Sequence, residues 1–174
     1  MIRSRIESSA SSFLAKHGIA TAPVPVEEIA RSEGIQVIRS TAAASEAGFL
    51  LRDGRHAIIG LNSRNTRRRQ RFTLAHELGH WLLHEGRPLI VDHTVRINKR
   101  DSVSSAATDN EEIQANAFAA AFLMPADWVR AAVERELRAY VPSRDELTAK
   151  LAEEFDVSQE AMSIRLINLG IFTA

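Results

Sequence analysis

The chain has 174 residues, 45% of them hydrophobic, enough for one ordinary core or one core with a small appendage. Its 22 basic and 22 acidic residues cancel, so overall charge predicts no nucleic-acid or acidic-membrane partner, and any electrostatic targeting must come from local patches. Cysteine is absent, which excludes disulfides and thiolate ligands, so a metal would have to be held by His, Asp and Glu.

Residues 2–17 place Ile6, Ala10, Phe13 and Leu14 at helical spacing, closed by Gly18. This N-terminal stretch mixes charged and apolar residues without an apolar h-region, so it does not read as a secretory signal. Pro23 and Pro25 predict an extended linker, 26–32 a short helix with Glu27 and Glu28 in its first turn, and 35–39 a strand after Gly34. A small-residue loop over 41–46 leads into a β-hairpin over 48–62, turning at Asp53-Gly54. The strand at 57–61 is the expected cleft edge, able to pair with an extended substrate.

Asn62 or Ser63 is the expected cap of a helix over about 66–84, whose apolar positions cover more than half its circumference, as in a helix buried at a domain centre. Residues 85–110 read as a long connection whose second half, DSVSSAATDN, has the composition of a mobile loop. Helices are then expected over 111–123, from Pro125 to about 139, over about 145–155 behind a Ser143/Glu146 capping box, and over 158–169 before Gly170. The longest small-and-apolar run, Ala117 to Met124, is far short of the roughly 20 residues that cross a bilayer, so a cytoplasmic chain without a membrane partner is expected.

The helix over 66–84 carries FTLAHELGHWLLH, an HExxH pattern. Residues four apart on a helix lie about 40° apart around the axis and about 6 Å along it, so His76 and His80 can ligate one cation. Glu77, on the adjoining face, can take a proton from an activated water and pass it to a leaving amine without being a ligand. Two surface histidines and a glutamate would give the same pattern by accident. The apolar surroundings and Gly79, which leaves space for a neighbouring element, favour the metal. One zinc ion per chain is the expected cofactor.

A third protein ligand would leave one open position on tetrahedral zinc. The sequence EEIQANAFAAAFLMP offers Glu111 and Glu112. Glu112 lies closer to the apolar face of Ala115, Phe118, Ala119 and Phe122, and Asn116, four residues on, can hydrogen-bond a ligand from behind. Glu112 is therefore preferred to Glu111, with Asp109 and His93 as weaker candidates. His84 would sit about 12 Å along the axis from His76, too far to share the ion, and reads as a polar residue at the helix end.

The residues PVPVEEIARSEGIQV, the hairpin, RFTLAHELGHWLLH and EEIQANAFAAAFLMP together resemble the ImmA/IrrE family of zinc metallo-endopeptidases over most of residues 23–125. The resemblance implies a gluzincin-like arrangement, with His76 and His80 on zinc, Glu77 as acid/base and a carboxylate of the second helix as third ligand. The family pattern there reads Glu-x-Glu-Ala-Asn. This chain has Gln114 at the second Glu, which leaves the ligand role to Glu112. It also implies cleavage of a helix-turn-helix transcriptional repressor encoded nearby, relieving repression.

RNTRRRQRF sets five arginines around the N-terminus of the HExxH helix, where they oppose its macrodipole. Arg68, Arg69 and Arg71 are the candidate docking residues for an acidic substrate segment; a solvated face paired with acids is the plainer alternative. Residues 143–174 look like a helix-turn-helix, but Arg144, Lys150 and Arg165 face six acidic residues there, so DNA binding is not expected. The fold expected is α+β: a helix-rich, zincin-like metallopeptidase domain with a small mixed sheet over 1–140, and a short helix-turn-helix-like module over 143–174. Two rival readings are a non-catalytic, metal-stabilised transcriptional regulator and the toxin-like component of a toxin–antitoxin pair.

Overall fold

A computed structural model of the chain describes residues 2–41, 46–53, 56–84, 89–93 and 104–173, with 2–3, 46, 89–93 and 104–108 described in backbone alone. The chain is α+β, rich in helix, with a small mixed sheet. It divides into two compact units, one of residues 25–119 and one of residues 1–24 with 120–174. The helical pair of 143–174 thus clusters with the N-terminal helix rather than by itself.

In chain order, the elements through residue 123 are α1 (Ile2–Lys16), α2 (Val26–Ser32), β1 (Ile35–Ser40), β2 (Glu46–Asp53), β3 (His56–Asn62), α3 (Arg67–Leu83), β4 (Leu89–His93) and α4 (Ser104–Leu123), of which α2 to β4 lie wholly in the 25–119 unit. Glu27 and Glu28 occupy the first turn of α2, where negative charge suits the helix dipole. Gly34, at φ +79°, then turns the chain into β1 through a conformation that side chains with a Cβ rarely adopt. Among the described residues the sheet has four strands, in the order β1-β3-β2-β4. β1 runs parallel to β3, and β2 runs antiparallel to both β3 and β4. Pairing of Asp53 with His56 shows the expected hairpin, although Gly54 of its turn lies outside the described residues, as do 42–45 of the expected loop.

Three expectations are corrected here. β3 is bonded on both sides, so it presents no edge to a substrate; the alternating apolar pattern that marks a strand does not say whether it is central. The connection over 85–110 holds a strand, β4, and the first residues of α4. Leu89-Ile90-Val91 is an apolar run that suits β2's free side. The Ser- and Thr-rich start of α4 lacks Gly and Pro, so a helix packed further along can propagate back through it. Finally, the cap of α3 is Thr66, whose hydroxyl accepts from Arg69 N at 3.3 Å. Asn62, buried, instead accepts from Arg64 N at 3.0 Å and shapes the turn before it.

α3 packs on β2, β3 and α2, burying every residue from Thr73 to His80. A helix carrying its polar motif on such a stretch places that motif inside the unit, which is what a water-restricting site requires.

In the other unit, α1 buries its predicted stripe of Ile6, Ala10, Phe13 and Leu14, with Phe13 tilted against Phe122 at 5.7 Å between ring centres. α5 (Ala126–Ala139), α6 (Arg144–Glu154) and α7 (Gln159–Asn168) follow. Ser143 and Glu146 form the expected reciprocal cap of α6, and Ser158 caps α7. Arg165 of α7 is buried, donating to Met124 O at 2.9 Å and pairing with Glu7 of α1.

Candidate metal centre

His76 and His80 lie one turn apart on α3, with their Nε2 atoms 3.0 Å from each other. α4 brings Glu112 to them, Oε2 at 3.4 Å from His76 Nε2 and Oε1 at 3.5 Å from His80 Nε2. Two imidazole nitrogens and a carboxylate in such proximity need a proton or a cation among them. Ligands about 2.0–2.1 Å from a tetrahedral ion lie about 3.3 Å apart, so these residues fit a cation.

Small residues allow the approach. A Cβ on Gly79 would lie 3.1 Å from Ala115 Cα and 3.2 Å from its carbonyl oxygen, so the space at Gly79 is taken by α4. That contact fixes Glu112, three residues before Ala115, opposite the histidines. Asn116 stands on the same face of α4, and its Oδ1 lies 3.0 Å from His76 Nδ1. An amide oxygen accepts only, so His76 Nδ1 carries a proton and Nε2 is the atom turned toward Glu112.

Electrostatics favour the ionised form of Glu112. Burial works against its charge, but hydrogen bonds and charge from His76 and His80 hold its carboxyl far below the usual carboxylate range. Glu77 is entirely buried next to His76. The β2 backbone lies against it: a Cβ on Gly48 would come 3.6 Å from Glu77 Oε1, 2.6 Å from Thr73 Cγ2 and 2.7 Å from Gly60 O. Gly48 is a site-shaping residue that sequence reasoning missed, because a lone glycine in a strand signals a close approach without saying to what.

Of the other candidates, Glu111 and Asp109 are outside the group of possible ligand atoms formed by His76, His80 and Glu112, and the His93 side chain lies outside the described residues. His84 stands at the helix end as expected, the C-cap of α3, and it is buried there with its Nδ1 3.1 Å from His80 Nδ1. Burial, and then the adjacent His80, push its imidazole below its usual range, while a hydrogen bond donated to the Gln114 side chain and the charges of Glu111 and Glu112 pull the other way. Its spacing of four from His80 on one helix face is the signal in the sequence for this contact.

Arg67 and Arg71 line a cavity of about 500 Å³ with Glu27, Glu28, Arg39 and Gln70. Arg68 and Arg69, the other docking candidates, do not line it.

Comparison with known proteins bears on the whole arrangement. The family model Peptidase_M78, described as the IrrE N-terminal-like domain, matches residues 30–166, a span that includes His76, Glu77, His80, Glu112 and Asn116. Among solved structures, a Mycobacterium tuberculosis transcriptional regulator is similar in fold, with a TM-score of 0.59 at 18% identity. The similarity covers 94% of this chain and 47% of that one, so the chain spans about half the length of that relative. No curated protein matches.

Proposed function

The chain belongs to the Peptidase_M78 family of IrrE N-terminal-like domains, and from there we propose that it is a zinc-dependent endopeptidase acting on a protein. The proposed substrate is a helix-turn-helix transcriptional repressor encoded nearby, whose cleavage would relieve repression. The observation that carries the reading is the convergence of His76, His80 and Glu112 within 3.5 Å, with Glu77 buried beside them.

Two histidines and a carboxylate, without thiolates, are a ligand set that suits zinc and leaves one coordination position open. Zinc held there would supply Lewis acidity toward water and a peptide carbonyl. The protein's own groups do the rest. Asn116 orients His76, and the ionised Glu112 supplies the negative charge that offsets part of the cation's. Glu77 accepts a proton from the attacking water and returns it to the leaving amine, so the amide C–N bond breaks without expelling an amide anion. Its burial keeps bulk water from competing for that carboxylate. Arg71, with Arg67, would dock an acidic segment of the substrate at the cavity beside α2; Arg68 and Arg69 would extend that surface along the first turn of α3.

The test is incubation of the full chain with the product of an adjacent repressor-like gene, with and without a chelator. Cleavage that stops with the chelator and in Glu77→Gln is expected. A second reading, a non-catalytic regulator stabilised by its metal, draws on the similar structure being described as a transcriptional regulator. It would replace the first if Glu77→Gln retained full regulatory function.

A further inference from the structure

A histidine can offer Nε2 to a cation only while its proton resides on Nδ1. For His76 this is fixed by Asn116 Oδ1, an acceptor that cannot donate. For His80 the atom behind the ring is not an oxygen. It is Nδ1 of His84, at 3.1 Å. Two imidazole nitrogens at this distance share one proton. With the proton on His80, its Nε2 is bare; with the proton on His84, His80 carries N–H at the cation position and cannot ligate.

We propose that His84 is a positioning residue for the metal, accepting the Nδ1 proton of His80 and so holding His80 in its ligating tautomer. The surrounding geometry fits this role. His84 is the C-cap of α3, its own backbone N–H donates to His80 O at 3.1 Å, and Arg52 of β2 donates to the same carbonyl at 2.6 Å. The two histidines are therefore tied through backbone as well as ring, and both are buried, so water does not replace the contact. The two ligating histidines thus have different supports: an amide oxygen from α4 behind His76, and an imidazole from the end of α3 itself behind His80.

This inference rests on the metal-centre reading but not on peptidase activity, and its test is zinc affinity. Zinc is titrated against a competing chelator with the full chain, His84→Asn and His84→Leu. Asparagine sets an oxygen acceptor near the place of Nδ1, whereas leucine fills similar space with none. The leucine variant should bind zinc about 10–100-fold more weakly, the usual effect of removing a partner behind a ligand, and asparagine should restore affinity to within a few-fold of the parent. Equal affinity in all three overturns the proposal, and so does an asparagine variant as weak as leucine, which would make the role one of packing. Should the leucine variant fail to fold, nitrogen-15 spectra of the zinc-loaded parent decide the matter. His80 should be protonated at Nδ1 with that proton bonded to His84, and any other state overturns the proposal. A parent chain that binds no zinc defeats the metal-centre reading itself, a result distinct from a lost difference among variants.

Discussion

Glu77 and Gly79 share a turn of α3, and their replacements should fail in different ways. Glu77→Gln keeps shape but cannot take a proton. It should fold and hold zinc as the parent does while losing about 10²–10⁴-fold in cleavage rate. Single-turnover cleavage alongside elemental analysis separates the two effects, and activity within a few-fold of the parent would exclude Glu77 as the base. His80→Ala should instead lose the metal. Gly79→Ala should fail earlier still, because the new methyl meets the backbone of Ala115 rather than a flexible side chain. Overpacking of this kind costs about 1–3 kcal/mol. A lower denaturation midpoint is expected, with weaker zinc binding as Glu112 is pushed away from the histidines. At this scale the sequence was most informative where chemistry imposes spacing. His76 and His80 follow from the helical repeat, and Glu112 with Asn116 from the same repeat on a second helix. His84 and Gly48 did not follow, since what each touches depends on how the chain closes around α3.

Elements bounded by local chemistry were legible to the residue in α2 and to within one residue in α6. α2 begins and ends where its acidic first turn and Gly34 place it, and the Ser143/Glu146 box starts α6 where two reciprocal bonds require. β4 and the start of α4 were not legible, because their state depends on a partner strand and a packed continuation rather than on their own residues. The tie between α2 and β1 provides a pH test at this scale. Arg39 of β1 donates to both carboxylate oxygens of Glu27, at 3.1 and 2.5 Å, and to Gln70 of α3 at 3.1 Å. The hydrogen bond from Arg39 holds the Glu27 carboxyl below its usual range; burial opposes it, and the charges of Arg39 and Arg31 add to it. A carboxylate depressed in the folded state contributes stability above its unfolded value and loses it as pH falls through the folded one. Glu27→Gln should therefore be less stable than the parent near neutral pH, and the gap should close as pH falls from the ordinary glutamate range through the lower folded pKa. Arg39 is 43% exposed and Glu27 27%, so solvent screening limits the gap to about 0.5–1 kcal/mol. Urea midpoints across pH measure it, and a gap that persists at pH 3 would show that the pair contributes by packing.

At the scale of the molecule, the helix-turn-helix look of residues 143–174 raises the question of DNA. Turn pattern and helix spacing report only that two short helices pack together; a reader of duplex DNA also needs several free cations on one face, since its affinity comes from displacing counterions from phosphates. The segment has Arg144, Lys150 and Arg165 for this purpose. Arg165 is buried against Glu7 and the Met124 carbonyl. Lys150 bonds Glu136 at 3.1 Å, and Arg144 bonds the Thr173 carbonyl and stacks on Phe172. Each cation is thus held by a partner in the same unit, and a phosphate would have to displace it. The predicted result is weak duplex binding by the full chain, unaffected by replacing Arg144 and Lys150 with alanine. Deleting the helices is the poorer test, because α6 and α7 cluster with α1 and α5 in one compact unit and their loss would dismantle it. A salt titration distinguishes the remaining outcomes. Each phosphate neutralised steepens the fall of log affinity with log salt by about 0.9. A steep slope that flattens when Arg144 and Lys150 are replaced would establish a DNA-reading module. A slope that changes only when Arg67, Arg68 and Arg71 are replaced would assign polyanion contact to the start of α3, the surface proposed to receive an acidic substrate segment.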